Sequence, residues 1–514
     1  MKASKPFIPD ELSGKRLFIL LVFVTGAAVM IIEIVGARLM APYYGSSFFV
    51  WTSVIGVILA ALSIGYYRGG IEADEELKLT RLSLMLSQAA IYTAFAPFGI
   101  QFAGFLSLVS IRFGPLFASL LGLSLPCYQL AKTLSYCIRY CVTEVRSFGR
   151  VAGFLYGVST VGSIFGTFAA GFVLIPLMSV RAILYMMAFI LFACSLLVYR
   201  RRLAILDLFV IISLGYLQLY SYSILYFDGT ESTLVYEKDS VYNTIMIFDR
   251  NSSGRMVRSF NLGIQSQGRI DLATNTPVSP YFRYLHLAWS LNPGIRRVLV
   301  LGNGGGIGIG ELMDAHPGIH VDVVDIDPEV FSAAVEHFGQ KKGPNVRFHV
   351  GDARAFLSSS HEEYDLILLD VYEARQDIPF HLTTYEMMLE VRDHLSAGGV
   401  LAANVISACR GYDSLMFNSY LKTVDRVFAD NYFACTLDDV DEAGNIMILS
   451  TNSGARLSPD HFLSNPSLAD DPVIWGAYSK LEASVGYDGF GGGVFLTDDH
   501  APTESIIARQ YLLG

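Results

Sequence analysis

Up to Leu225 this chain is a succession of apolar runs, several of them long enough to cross a bilayer. A run of about 20 apolar residues can satisfy its backbone in lipid only as a helix. A large part of the fold is therefore committed to a helical bundle before any motif is considered. The charges divide at the same place. Residues 1–225 hold 17 Lys+Arg against 9 Asp+Glu, a balance of +8; the remainder holds 20 against 38, a balance of −18, and the two give the total of −10. A sparsely charged, basic membrane half thus precedes an acidic half with the pattern of a water-soluble domain. That acidic surface argues against nucleic acid as a partner, because phosphate binding needs basic residues.

Hydropathy predicts about seven spans, near 17–42, 50–67, 82–107, 114–134, 151–177, 180–199 and 203–224. The first is too long for a cleaved signal peptide and reads as retained. Basic residues gather in alternate connections: Lys2, Lys5, Lys15 and Arg16, then Arg68, Lys78 and Arg81, then Arg139, Arg146 and Arg150, then Arg200, Arg201 and Arg202. The positive-inside rule places the N-terminus in the cytoplasm, and with seven spans the acidic half falls outside it. The expectation is a multi-pass protein of the cell membrane with the bilayer as a partner. Glu33, midway along the first run, is an intramembrane acid; a functional role and a hydrogen bond to a neighbouring helix weigh about equally. The pairs Gly153/Gly157 and Gly162/Gly166, each four apart, are expected to let helices approach closely.

The cysteines form no CxxC or Cys/His cluster, so no metal is expected. Cys409 and Cys435 read as small buried apolar residues in preference to a disulfide.

The acidic half begins with strand-like stretches at Ser232–Tyr236, Asn243–Phe248 and Met256–Leu262, with a hairpin turn at 249–254. A small β-region is expected over 226–280, following the helical domain of 1–225. A helix near Tyr281–Leu291 opens the main domain, 281–514. There, strands at Val346–Val350, Leu366–Asp370, Gly399–Val405 and Ile446–Ser450 alternate with helices at Thr384–His394 and Tyr412–Val427. Such alternation predicts a mostly parallel sheet with helices on both faces.

The segment Val298–Pro328 reads as strand, glycine turn, helix and a second strand ending in Asp325, about twenty residues past the glycines. Glycines allow close backbone approach to a ligand, and an acid at that spacing receives ribose hydroxyls. Gly302–Gly306, Asp325, Asp352 and Asp370 all fall at the carboxyl ends of predicted strands, where ligands of such sheets sit. Each acid alone is as readily a helix or turn cap; the ordered set points to a bound nucleoside.

The runs Ser240–Asn243, Leu301–Gly306, Val324–Asp327, Gly351–Arg354, Leu369–Glu373, Leu382–Glu386 and Leu395–Val400, with Gln265, together resemble the spermidine synthase (aminopropyltransferase) family. The similarity spans roughly 232–450. The membrane half, with its run at 153–163, and the late Thr497–Asp499 with Pro502 resemble membrane-fused members of that group. The resemblance implies a Rossmann-like, methyltransferase-type fold. It implies a donor, decarboxylated S-adenosylmethionine or S-adenosylmethionine, held by Gly302, Asn303, Gly304, Gly305, Asp325, Asp352 and Ala353. Asp370 would be the general base, with Tyr372 and Glu373 beside it, and Tyr242, Gln265 and Asp499 would line the substrate pocket. Where the family's loop carries an acid that binds the amine of the transferred group, this chain has Gly305. Where the family has a Tyr-His-Glu stretch, it has Val278–Tyr281.

Three readings stay open. One is a membrane-anchored group-transfer enzyme whose acceptor is not a standard polyamine. Another is a donor-independent acid/base enzyme, such as a cyclase or isomerase, acting on a membrane lipid or isoprenoid through Asp370, Glu373 or Asp499. The third is a ligand-binding transporter or sensor. A homo-oligomer is compatible with each.

Overall fold

The computed structural model describes residues 14–44, 47–105, 113–200, 204–225, 232–263, 265–372, 378–454, 457–484 and 492–510. The chain forms two compact units, Met1–Asp228 and Gly229–Gly514.

The first unit contains the helices α1 (Arg16–Tyr44), α2 (Phe48–Glu75), α3 (Leu79–Phe105), α4 (Gly114–Gly122), α5 (Ser124–Cys141), α6 (Phe148–Ala169), α7 (Val180–Val198) and α8 (Ala204–Leu225). Among the described residues, five helices are long and apolar enough to cross a membrane: α1, α2, α3, the stretch Val145–Leu177 containing α6, and α7. The expected count of seven differs at two places. The span predicted over 114–134 divides at Leu123 into α4 and α5, because Pro126 has no N–H for the carbonyl four residues back. The described apolar part of α8, Ala204–Leu217, is short of a full span.

α5 is too polar to face lipid along its length, and its polar side chains are instead paired inside the unit. Lys132 meets Glu72 of α2 at 2.7 Å, and Gln129 donates to Gln88 of α3 at 2.9 Å. Glycines set the closest approaches. A methyl group on Gly162 would lie 2.2 Å from the Phe23 carbonyl oxygen, and one on Gly166 2.4 Å from that of Ala27, so α6 rests directly on α1. Gly65 and Gly69 do the same for α2 against α5. Gly153 and Gly157, expected to act likewise, face open space. Glu33 is half-buried on α1.

The second unit opens with a five-stranded antiparallel sheet: β1 (Ser232–Asp239), β2 (Thr244–Ser252), β3 (Arg255–Leu262), β4 (Gln265–Asp271) and β5 (Thr276–Pro277). The β2–β3 turn is tighter than the sequence pattern implies. Only Ser253 and Gly254, both at positive φ, lie outside the strands, which matches the right-handed twist of a two-residue hairpin.

The main sheet comprises β6 (Arg297–Leu301), β7 (His320–Asp325), β8 (Val346–Val350), β9 (Tyr364–Leu369), β10 (Leu395–Ser407), β11 (Asp430–Cys435), β12 (Gly444–Thr451) and β13 (Glu482–Ala483), in the order β13-β11-β12-β10-β9-β6-β7-β8. β6 to β10 are parallel, whereas β12 runs antiparallel to both β10 and β11. The sheet is therefore mixed, with its antiparallel strands at one side. Its faces are sorted by alternation. Val298 and Val300 join a core with Leu285 and Trp289, while Leu299 and Leu301 join one with Met388 and Phe417. Each such buried side chain contributes about 1.5–3 kcal/mol relative to exposure.

Two local expectations are corrected. The helix predicted over Tyr281–Leu291 is one α-turn, Tyr281–Tyr284, followed by a 3-10 helix, Leu285–Ser290. Cys409 and Cys435 form a disulfide, with Cα atoms 6.4 Å apart. Cys409 follows β10 and Cys435 ends β11, and the hairpin return of β12 between them brings the two strand ends together. Nothing local in the sequence announces that pairing.

Candidate active site

The chain runs from β6 to β7 and β8 on one side, then returns to β9 and β10 on the other. The carboxyl ends of β6 and β9 thus flank the switch point of the sheet, where clefts open in such folds. Gly302 and Asp370 meet there. Gly302 has φ of +96°, and a methyl group on it would sit 2.2 Å from the Asp370 carbonyl oxygen. Glycine is required on both counts.

The loop beyond Gly302 is built from backbone and amide contacts. The Asn303 N–H donates to Asp325 Oδ2 at 2.9 Å, and the Asp327 N–H donates to Asp325 Oδ1 at 2.9 Å. Burial pushes the Asp325 carboxyl up to about 6, against the pull of those two amides. Gln340 donates to Asn303 Oδ1 at 2.5 Å and packs beneath Gly306. Gly305 is buried, and a methyl group there would meet Phe260 Cβ at 3.2 Å and Ile307 at 3.4 Å. The atoms nearest that position are therefore apolar.

The helix that follows, Ile307–Ala315, is tied down at its far end. His286 is fully buried, and its Nδ1 lies 2.9 Å from His316 Nε2 and its Nε2 3.1 Å from Glu311. Burial pushes His316 down to about 3 and holds His286 well below the usual imidazole range. Both rings are therefore neutral near pH 7, His316 donating to His286 and His286 to Glu311.

Asp370 follows β9. Its Oδ1 accepts from Asn404 Nδ2 at 2.8 Å and its Oδ2 from the Tyr281 hydroxyl at 3.3 Å. Burial raises its pKa, and the two neutral donors oppose that rise. A carboxylate so placed is a stronger base than an exposed one and has no cation to neutralise it among the described residues. Tyr372, expected beside it, has its hydroxyl committed to β10: it donates to the Asn404 carbonyl at 2.8 Å and accepts from the Ile406 N–H at 2.9 Å. β10 extends past the last pair with β9, Ala403 with Leu369, and the phenol replaces the missing strand partner. Tyr372 is thus a strut. Glu373 lies outside the described residues.

The other predicted residues are dispersed along the rim. Asp352 caps the helix Ala353–Ser359, accepting from the Ala355 N–H at 2.9 Å, and faces His381 at 3.0 Å. Its partial burial is outweighed by these contacts, which hold its carboxyl below the usual range. Ala353 is the buried first residue of that helix. Exposed Ile326 and Val350 flank Asp325, Val350 being its register partner. Tyr242 is exposed on a turn whose Ser240 bonds Asp327. Gln265 pairs with Leu262 in the ladder, whereas Gln267 is the extra residue of a β4 bulge and lies against Gly304. Bulges re-aim side chains beside sites. Asp499 is exposed; its neighbour Asp498 instead makes a two-pronged ion pair with Arg354 at 2.7 and 2.8 Å.

Tyr281, Asn404, Gln267 and Gln340 are site residues that the sequence alone does not mark. Only Tyr281 had a signal, its place in the stretch compared with the family's Tyr-His-Glu.

Residues 283–455 match the model of the spermine/spermidine synthase domain. A polyamine aminopropyltransferase of Vibrio vulnificus (strain CMCP6) is 32% identical over 229 residues, covering 44% of this chain and 74% of that protein. Polyamine aminopropyltransferase 2 of Aquifex aeolicus (strain VF5) is 22% identical over 425 residues, covering 79% of this chain and 82% of its own length. A probable spermidine synthase of Corynebacterium glutamicum ATCC 13032 superposes with a TM-score of 0.39 and 20% identity, covering 46% of this chain and 88% of that one.

Proposed function

The chain belongs to the polyamine aminopropyltransferase (spermidine synthase) family, a family of transferases, and from that premise we propose a membrane-anchored group-transfer enzyme that uses an adenosylmethionine-type donor on an acceptor other than a standard polyamine. The observation that carries this reading is the contact of two strand-end loops, with Asp325 beside one and Asp370 on the other.

Asp325, with Ile326 and Val350 exposed around it, suits a nucleoside whose ribose hydroxyls donate to a carboxylate and whose base packs on apolar side chains. Asp370 suits the acceptor. The acceptor's amine lone pair attacks the carbon bound to the donor's sulfonium. The C–S bond breaks, its electron pair stays on sulfur as a neutral thioether, and Asp370 takes the amine proton. A positioned base of this kind contributes about 10²–10⁴-fold. Among the described residues, the atoms nearest a side chain at Gly305 belong to Phe260 and Ile307 and include no carboxylate for an ammonium group, and recognition of a polyamine depends on such pairs. An amine presented at a membrane surface fits better than a free polyamine. The test is to supply the membrane-embedded protein with decarboxylated S-adenosylmethionine or S-adenosylmethionine and extracted membrane lipids. Thioether nucleoside released by the wild type and not by Asp370→Asn supports the proposal; equal release by both contradicts it.

The Cys409–Cys435 disulfide favours a second reading. Disulfides persist in oxidising compartments, which favours an extracytoplasmic second unit. A cytoplasmic adenosyl donor is not freely supplied there. Asp370 would then act as acid or base on a membrane lipid or isoprenoid without a donor. A reporter fused at Gly514 separates the two, since external placement removes the basis of the first and cytoplasmic placement that of the second.

A further inference from the structure

Asn404 is buried, and its amide is contacted on both sides. Nδ2 donates to Asp370 Oδ1 at 2.8 Å, while Oδ1 accepts from Asn445 Nδ2 at 3.0 Å. The second bond dictates the first. An amide can turn about its last torsion and present oxygen where nitrogen was. With a donor fixed on its oxygen, Asn404 must offer nitrogen to the carboxylate. Asn445 is a diagonal neighbour on β12: Asn404 stands opposite Met447, and Asn445 opposite Ile406. The Asn445 backbone is held in turn, its main-chain carbonyl accepting from both the N–H and the hydroxyl of Thr436, at 3.0 and 2.7 Å. Thr436 follows Cys435 directly, and the disulfide joins that strand end to the segment after β10. The bridge therefore spans the same three strand ends, β10, β12 and β11, that the amide contacts cross.

We propose that Asn404 and Asn445 form a two-amide relay that orients the Asp370 carboxylate, and that the Cys409–Cys435 disulfide anchors the far end of this relay. All three polar residues are positioned by elements distant in sequence, and neither asparagine is required to touch the substrate. The role of Asp370 as base rests on the reading above; the relay does not depend on which donor or acceptor is used. Among the described residues, the titratable groups that face Asp370 are the phenols of Tyr281 and Tyr372, and burial raises both. Neither changes charge in the range where a carboxyl titrates.

The test reads Asp370 itself, by infrared difference titration of the purified full-length protein with Asp370→Asn as the blank. Asn404→Ala removes a donor to the charged form, so the protonation midpoint should rise by about one pH unit, tenfold in proton affinity. Asn445→Ala should move it in the same direction by less, because Asn404 remains but can turn. Paired Cys409→Ser and Cys435→Ser should raise it in the wild-type background and leave it unmoved in the Asn445→Ala background. Reducing the disulfide in the wild-type chain gives the same comparison with no substitution, should the paired variant fail to fold. An unchanged midpoint in both asparagine variants would overturn the relay. A disulfide effect of equal size with and without Asn445 would overturn the anchoring. Donor turnover, measured alongside, reports on the functional reading separately, since a moved midpoint with no turnover supports the relay and counts only against transfer.

Discussion

The two strand-end carboxylates, Asp325 and Asp370, invite comparison. Asp325 and Asp370 both close a parallel strand, and burial raises both. They are held differently. Asp325 takes backbone amides from Asn303 and Asp327, the latter two residues away. Asp370 takes side chains from Asn404 and Tyr281, 34 and 89 residues away. Backbone amides fix a carboxylate for binding and survive most substitutions around them. Side-chain donors fix one whose protonation can be tuned by single residues. The first arrangement suits a site that recognises, the second a site that reacts.

Substitutions should separate the two halves. The largest effect is expected for Asp370→Asn, a fall in kcat of about 10²–10⁴-fold with donor affinity retained; steady-state kinetics and titration calorimetry on one preparation would show whether the loss is confined to turnover. Asp325→Ala should do the reverse. It removes a charged acceptor of about 1.5–3 kcal/mol and weakens donor binding by about 10–100-fold. The same carboxyl gives a pH signature. Folding raises it from 3.8 to about 6, so its contribution to stability is present below about 4 and is lost as pH rises through 6. Donor binding needs the ionised form and should weaken as pH falls below about 6, which calorimetry across pH 5–8 would reveal; affinity that is flat over that range removes Asp325 from the donor site.

Gly302→Ala tests the contact of the two halves. A side chain at positive φ against the Asp370 carbonyl should cost about 1–3 kcal/mol and lower Tm by about 2–4 °C for each kcal/mol, as calorimetric scans would measure. Tyr372→Phe should have the smallest effect. Losing its two bonds to β10 should cost about 1 kcal/mol in stability and change kcat only a few-fold. A loss as large as that of Asp370→Asn would make Tyr372 a participant in the chemistry.

The same contrast governs what could be read from the residues alone. The glycine loop, Asp325 and the strand-end position of Asp370 are legible because turn chemistry and strand periodicity act within about thirty residues. The partners of Asp370 are not. Asn404 interrupts a buried apolar strand, Val400–Val405, and nothing in its neighbours says which face meets β9. The disulfide is illegible for a related reason, since it is the placing of β12 between β10 and β11 that brings Cys409 and Cys435 together. β4 carries no strand signal because its sequence, QSQGRID, is polar, and it is a strand by virtue of pairing with β3. In the first unit, hydropathy located the helices but not their contacts. The packing glycines Gly65 and Gly69 lie opposite the part of α5 within the apolar run 114–134 that Pro115 and Pro126 interrupt.

We infer that this family member retains an adenosyl donor site built on the glycine loop and Asp325. Titration calorimetry of the full-length protein in lipid nanodiscs with decarboxylated S-adenosylmethionine and with S-adenosylmethionine tests it most directly. Saturable binding of one of them, lost in Asp325→Ala and kept in Asp370→Asn, is the predicted result. Absence of binding by either ligand to a folded wild-type protein would contradict it.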